Sequence, residues 1–265
     1  KIVDFGTAAD GVINWSRWAD GAATLSTASG PRNANYPENG GVHFVYGSAA
    51  NTLPTSGAVS YDLVGSTAPT MRDGSQSPGT FNGQMAVAFG ATPKVGLEFD
   101  IGIGGATYGI ATAGGVAGAA TGGLDISTDT STGFTFHTFR SFNVAVTGSG
   151  PVCTSACSAT IDGFLAGEGA SHIGVNYVFG SSGSNKIVEG AAAFGRSGTA
   201  ATVSKTSDGD WSGWTGVNSN VTESYADAAR IGNGSQGQGR LNNGLDPSDT
   251  IGSIKERLGP SFSFQ

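Results

Sequence analysis

Short runs in which apolar and small residues alternate, separated by glycine-rich turns, constrain the fold of this chain more than any other feature. The clearest run is residues 160–196, TIDGFLAGEGASHIGVNYVFGSSGSNKIVEGAAAFGR. Alternation with a period of two is typical of strands that bury one face, and glycine lets the backbone reverse between them. The segment therefore predicts two or three consecutive antiparallel strands, as in a closed β-barrel.

Composition favours many short strands over helices. Glycine supplies 45 of the 265 residues, and charged residues make up 12%, about half of the usual fraction. Each glycine inside a helix costs about 1 kcal/mol relative to alanine, so such a chain forms helices poorly. Apolar residues reach 38% and alternate, which argues against disorder in residues 1–200 and leaves it open for parts of the tail.

The alternation predicts eight strand units, counting one hairpin as a single unit, with Tyr108–Ala111 as a ninth. They are residues 42–46, 59–63, 85–89, 95–103, a hairpin over 134–146 that turns at 139–141, a strand starting at Ile161, and residues 173–179 and 186–194. The fold class is predicted to be all-β: a single antiparallel eight-stranded barrel of lipocalin size, filled by its own side chains. A two-sheet sandwich is the alternative.

Domain organisation follows from where the strand pattern stops. Residues 1–199 are predicted to form the barrel domain, with irregular segments at 20–40 and 104–131, the latter either a long loop or a strand pair. Residues 200–265 are predicted to be a tail carrying one helix over 247–258, because Asp246 is a good N-cap and Pro247 suits the first helical position. The final SFSF predicts a short terminal strand.

Charge and targeting signals narrow the partners and the compartment. The net charge is −7, so binding to nucleic-acid phosphates is disfavoured. No run of 18 apolar residues predicts a transmembrane helix. The chain opens at Lys1 without Met, which indicates a processed form and fits secretion.

Two cysteines, Cys153 and Cys157, lie four residues apart in PVCTSACS. They form a small disulfide ring, remain free thiols, or supply half of a metal site. The metal alternative needs further ligands, and the only histidines, His43, His137 and His172, are scattered. We therefore favour the disulfide, which implies an oxidising compartment.

A repeated W-S-x-W motif places Trp15 and Trp18 in one copy and Trp211 and Trp214 in the other. One interpretation is that these rings are buried plugs at the barrel ends. The other is that they form an exposed interaction surface, since Trp is enriched at binding hot spots. The sequence leaves both open.

No catalytic motif emerges. Ser171 and His172 are neighbours, but no carboxylate accompanies them at a recognisable spacing, and GNGSQG at 232–237 lacks the strand and helix of a dinucleotide site. His43 and His137 are expected to be exposed or interfacial, and His172 to pair locally with Glu168. We therefore predict a protein that is not an enzyme, with no catalytic, cofactor or metal site.

Residues 160–196 resemble the closing strands of the barrel in transferrin-binding-protein-B-like surface proteins. The matching pieces are Gly163–Gly167, Ala170, Gly174, Val188–Gly190 and Phe194–Gly195. Upstream segments such as WSRWADG and GGVHFVYG are similar to barrel domains of uncharacterised alphaproteobacterial proteins, some attached to FecR-type sensor domains. The resemblance covers residues 12–196. It implies an eight-stranded barrel exported to the cell surface or periplasm of a Gram-negative bacterium, with non-enzymatic binding of a protein.

The chain departs from that family's pattern in three ways. It has no lipidation cysteine near Lys1, no second lobe, and no family counterpart for its tail, so no binding residue is carried over. The expected function is a surface or periplasmic binding module that contacts another protein or copies of itself through loops at one rim. The alternatives are a structural subunit of a surface layer, filament or complex joined through loops and tail, and a hydrolase of surface polysaccharide.

Overall fold

A computed structural model describes residues 2–27, 30–50, 52–130, 135–154, 156–181, 186–197, 204–206, 224–225, 228–233 and 237–242. The first five strands are β1 (Ile2–Thr7), β2 (Ile13–Trp18), β3 (Gly21–Thr27), β4 (Gly30–Tyr36) and β5 (Val42–Ser48). Five more are β6 (Gly57–Ser66), β7 (Thr70–Met71), β8 (Thr80–Phe89), β9 (Lys94–Ile103) and β10 (Ala106–Ala111).

The second half of the described chain is equally rich in strands. It contains the four-residue helix α1 (Ala119–Gly122), then β11 (Leu124–Asp129), β12 (Phe136–Thr147), β13 (Cys157–Ala166), β14 (His172–Gly180) and β15 (Val188–Arg196). Short strands follow in the tail: β16 (Ser204–Thr206), β17 (Ser224–Tyr225), β18 (Ala228–Asn233) and β19 (Gly237–Asn242). The prediction of an all-β fold is confirmed.

Eight of these strands close into an antiparallel barrel. Their order is β6, β8, β9, β10, β12, β13, β14 and β15, and β15 then pairs with β6 to complete the circle. The short strand β11 also pairs with β9 and β12, at the opposite end of β9 from β10. The predicted eight-stranded barrel is therefore confirmed.

Side chains fill the barrel interior. Alternate residues of the barrel strands point inward except where the register shifts in β12 and β15. The ring centroids of Phe81 and Tyr177 lie 5.2 Å apart, and those of Phe99 and Phe194 lie 5.7 Å apart. Gly190 faces the Tyr177 ring on the neighbouring strand, so that ring occupies the space a side chain would need. The interior is a packed core, as is usual for a barrel of this size.

A second sheet packs against the outside of the barrel. Its strand order is β16-β1-β2-β5-β19-β18-β17, and we call it the second sheet. It covers β13, β14, β15 and the adjoining part of β6, which is why β14 and β15 are buried almost throughout. The interface is apolar at its centre and is formed by Ala8, Ile13, Trp15, Val45, Phe164, Ala166, Ala191 and Ala193.

The barrel occupies less of the chain than predicted. We expected residues 1–199 to form it, but its strands run from Gly57 to Arg196, and the predicted first barrel strand at 42–46 is β5 of the second sheet. Alternation shows that a strand buries a face, but it does not show which layer that face packs against. The segment 20–40, predicted to be irregular, forms the β3–β4 hairpin.

The predicted hairpin at 139–141 is a single strand, β12, with an irregular register between Ser141 and Val144. This bulge interrupts the apolar alternation in the sequence. The sequence of one strand therefore resembles that of two strands joined by a turn. It also leaves Phe142 exposed, with the Arg140 guanidinium 4.2 Å from its ring centroid. The optional ninth strand at 108–111 belongs to β10 and is a full member of the barrel.

Some predictions fall outside the described residues. They are the helix at 247–258, the terminal strand, Trp211 and Trp214. The single described helix has four residues, far fewer than the ~20 that a membrane-spanning helix requires.

Trp15 offers a test of how the two layers fit together. Its indole ring lies against Gly6 of β1 and Gly65 of β6, and a methyl group at Gly65 would overlap the ring. We expect Gly65→Ala to lower the free energy of unfolding by about 1–3 kcal/mol through overpacking, measured by chemical denaturation. Gly90→Ala is the matched control, because nothing lies within 4 Å of a methyl group there. Equal stability of the two variants would contradict this packing.

Candidate functional site

The part of the barrel that the second sheet leaves open carries an acidic surface. Its residues are Asp62, Asn82, Gln84, Glu98 and Asp100, which we call the acidic wall. They lie in register on three adjacent strands: Asp62 opposes Gln84, Gln84 opposes Glu98, and Asn82 opposes Asp100. All five are exposed, and with Leu63 and Gly83 they line an open depression of about 380 Å³.

Alternation along the strands creates this surface. In β9, Leu97, Phe99 and Ile101 point into the core, so Glu98 and Asp100 must point to solvent. Amide side chains separate the three carboxylates across the strands, which avoids like charges directly opposite one another. The arrangement follows from the sheet register, and the sequence alone does not show that the three acids are neighbours.

The acidic wall suits a basic partner better than a metal ion. No ion pair joins its three carboxylates to a described residue. Within the described part of the chain, no three His, Cys, Asp or Glu side chains come close enough to hold a metal ion. Uncompensated exposed carboxylates attract a positively charged surface over about a Debye length and guide its approach.

A buried polar network lies between the second sheet and the barrel. The Arg17 Nη1 donates to the carbonyl oxygens of Glu38 and Gly40 at 2.9 and 2.7 Å, and burial lowers the Arg17 pKa while Asp4 opposes that effect. On the barrel side, fully buried Glu189 is paired with Arg72. Each of these charges is partnered within its own layer, as buried charges must be, so both can be buried at the interface.

His43 lies within this network and is fully buried. Its Nδ1 is 2.8 Å from the Thr67 hydroxyl, and its Nε2 is 2.7 Å from the Thr70 hydroxyl. A neutral ring donates from one of these nitrogens to one threonine and accepts a hydrogen bond from the other. Both ring nitrogens are therefore hydrogen-bonded without a charge on the ring. Of the two positions that we predicted, exposed or interfacial, the ring takes the interfacial one.

Ser171, His172 and Asp10 form a line of polar groups at one end of the interface. The Ser171 hydroxyl is 2.9 Å from His172 Nδ1, and the Asp10 carboxylate is 3.6 Å from Nε2. The carboxylate therefore comes from the β1–β2 turn of the second sheet, whereas we predicted local pairing with Glu168. Burial lowers the His172 pKa, and Asp10 opposes that shift.

The turn that carries Ser171 is pinned from the barrel end. Arg196 Nη2 donates to the Gly169 carbonyl, and the Tyr61 hydroxyl donates to the Ala170 carbonyl, both at 2.6 Å. Arg196 therefore holds this turn against the end of β15. The remaining histidine, His137, is also buried, 3.1 Å from the Thr128 hydroxyl, although we allowed it to be exposed.

Trp15 and Trp18, predicted as candidates for an interaction surface, are both buried. Trp15 packs between the two layers, and Trp18 packs edge-on against Tyr36 with ring centroids 5.2 Å apart. Neither ring is available as a contact surface, and neither plugs a barrel end as the other interpretation required. The motif lies on β2, a strand whose two faces are both buried. The alternation of apolar residues in the sequence does not predict burial on both faces.

The predicted disulfide between Cys153 and Cys157 is confirmed. It closes a short ring in the segment between β12 and β13, where the Tyr108 hydroxyl also accepts a hydrogen bond from the Val152 amide at 3.2 Å. Cys153 is buried against the core. The bridge therefore fixes one rim of the barrel.

Comparison with known proteins leaves the family open. No family model, curated protein or solved structure matches this chain. The resemblance to transferrin-binding-protein-B-like barrels consequently stays a prediction.

Reduction tests the contribution of the disulfide. Opening a ring this short should lower the free energy of unfolding by about 2 kcal/mol, because the reduced unfolded chain gains conformational freedom. The midpoint of urea denaturation, compared with and without a reductant, measures the effect. A Cys153→Ser/Cys157→Ser variant is the control and should match the reduced protein in both conditions. A midpoint unaffected by reductant in the unaltered protein would contradict the prediction.

Proposed function

We propose that this protein is a non-enzymatic binding barrel whose acidic wall binds a basic surface of another protein. The observation that carries the proposal is the open depression on the uncovered half of the barrel, lined by Asp62, Glu98 and Asp100. These carboxylates are exposed, adjacent in register and not paired with described residues. A surface of this kind favours charge-guided binding of a positively charged partner.

The packed interior argues for binding on the outside of the barrel. Small-molecule carriers of similar architecture need a cavity, whereas here Phe81, Phe99, Tyr177 and Phe194 stack across the core. The outer face of β13, β14 and β15 is used for internal packing. The acidic wall lies on β6, β8 and β9, where its five polar side chains are exposed to a partner.

Binding without catalysis also fits the Ser171–His172–Asp10 line. The His172 side chain is only 3% exposed, and its Nε2 faces a carboxylate of the other layer at 3.6 Å. The three groups bridge the second sheet and the barrel, so we interpret them as a structural joint.

We place the protein outside the cytoplasm, at the surface or in the periplasm of a Gram-negative bacterium. The Cys153–Cys157 disulfide supports this, because such bridges persist in oxidising compartments. The resemblance to transferrin-binding-protein-B-like barrels has the same implication. The partner remains defined by its chemistry alone: a protein with a basic surface.

Neutralising the acidic wall tests this function. We expect Asp62→Asn/Glu98→Gln/Asp100→Asn to weaken binding of a partner captured from an envelope extract by about tenfold, since exposed ion pairs each contribute up to about 1 kcal/mol. The measurement is the dissociation constant of the purified partner at low and physiological salt.

Asp73→Asn/Asp125→Asn/Glu168→Gln is the control, because it removes the same charge from exposed positions elsewhere. It should bind within about twofold of the unaltered protein. Equal weakening by both variants, or no dependence on salt, would overturn the proposal.

A second candidate function is a structural subunit that assembles with copies of itself. The specific observation in its favour is that tail strands β16 and β19 pair with β1 and β5, the outer strands of the three-stranded N-terminal part of the second sheet. Strand addition of this kind joins neighbouring molecules in many assemblies.

Deleting residues 200–265 separates the two functions. If the tail links copies, the unaltered protein should form polymers and the shortened protein should be a folded monomer, as measured by light scattering after size exclusion and by negative-stain imaging. Polymers that persist without the tail, or a monomeric unaltered protein, would exclude the structural function.

A further inference from the structure

Two of the three histidines lie in one interface and come from its opposite sides. His43 belongs to β5 of the second sheet and faces the barrel, whereas His172 belongs to β14 of the barrel and faces the second sheet. Both are almost fully buried. Opening this interface would therefore expose two imidazoles to water at once.

The surroundings of His43 suit a neutral ring. Each ring nitrogen faces one threonine hydroxyl, so a neutral ring donates at one nitrogen and accepts at the other. A second ring proton would face a hydroxyl proton unless that hydroxyl reoriented. Arg17 on β2 lowers the His43 pKa further, although burial is the larger cause. Protonated His43 would add a second buried cation beside Arg17.

Other charged groups flank His43 from the packed elements. Asp4 on β1 pairs in register with Arg17, and Glu189 on β15 pairs with Arg72. The two acidic groups already have cationic neighbours. They therefore do not offer His43 a carboxylate of its own.

His172 differs from His43 because a carboxylate partly offsets the effect of burial on its pKa. Asp10 approaches the His172 Nε2 from the β1–β2 turn, and the Ser171 hydroxyl is hydrogen-bonded to Nδ1. The nearest other charged residues are Glu168, in the β13–β14 turn, and Arg196, which follows the register partner of His172 on β15. Burial lowers its pKa and Asp10 only partly opposes this. Both histidines are thus neutral at pH 7 while the interface is closed.

We propose that mild acid releases the second sheet from the barrel, with His43 and His172 acting together as the pH-sensitive contacts. In the open state both rings reach water and regain their ordinary proton affinity, so the open state takes up protons that the closed state does not.

The direction with pH follows from proton linkage. The pKa of each buried histidine is lowered, so closure is fully favourable above the ordinary histidine value of about 6.5 and weakens as the pH falls below it. The loss continues until the pH reaches the pKa of the closed state. Each histidine raises the open fraction about tenfold per pH unit in this window, and two raise it about a hundredfold.

Hydrogen–deuterium exchange measures the opening directly. We expect amides of β2 and β5 to lose protection between pH 7 and 5.5, after correction for intrinsic exchange rates, while β9 inside the barrel keeps its protection. His43→Gln and His172→Gln should each remove about half of the logarithmic pH effect. His137→Gln is the matched control, because His137 is buried on β12 and away from this interface.

A covalent lock tests the same idea with both histidines in place. A Cβ at Gly47 would lie 3.1 Å from the Ala166 Cβ across the interface, close enough for a bridge after a small shift. Oxidised Gly47→Cys/Ala166→Cys should lose the acid response, and each single cysteine variant should retain it.

Three outcomes would overturn the proposal. One is equal loss of protection in β5 and β9, which means global unfolding. The second is full protection of the second sheet at pH 5.5 in the unaltered protein. The third is loss of the acid response in His137→Gln.

Discussion

Closure of the hydrogen-bonded circle is the constraint on which the rest of this structure depends. Once β12 pairs with β13 and β15 pairs with β6, the eight strands have no free edge and their register cannot slip. Register then decides which residue of every strand faces the core and which faces outward. The register therefore determines three features: the aromatic interior, the apolar surface that contacts the second sheet, and the acidic wall.

Residue size then divides the outer surface into two halves. On β15, Ala191 and Ala193 give a flat outer face, and Gly65 on β6 leaves room for the indole of Trp15, so a second layer packs closely there. On β8 and β9 the outward positions hold Asn82, Gln84, Glu98 and Asp100, which need water. The covered half provides stability, and the other half stays exposed to solvent.

The sequence predicted the closed barrel because alternation reports directly on one-sided burial. The predicted number of strands agrees with the structure, although the prediction included β5 of the second sheet and left β10 optional. Prediction failed where both faces of a strand are buried or where the alternation is interrupted. In β2 apolar and polar residues do not alternate, because both of its faces are covered. In β12 the bulge interrupts the alternation in the way that a turn would. The sequence also could not predict which residues from distant parts of the chain lie close together. Asp10 and His172 are far apart in the chain, and only the docking of two layers brings them together. The disulfide was predictable because its partners are neighbours in sequence.

The order of the layers along the chain has a kinetic meaning. The N-terminal strands β1, β2 and β5 emerge first during synthesis, yet the surface they rest on is completed only by β13, β14 and β15, more than a hundred residues later. Contacts over such separations form slowly. The first fifty residues therefore cannot pack against the barrel until its last strand has formed. Trp15 and its apolar neighbours stay uncovered until then. Until β15 has paired, this uncovered apolar surface is where the unfinished chain is most prone to aggregate.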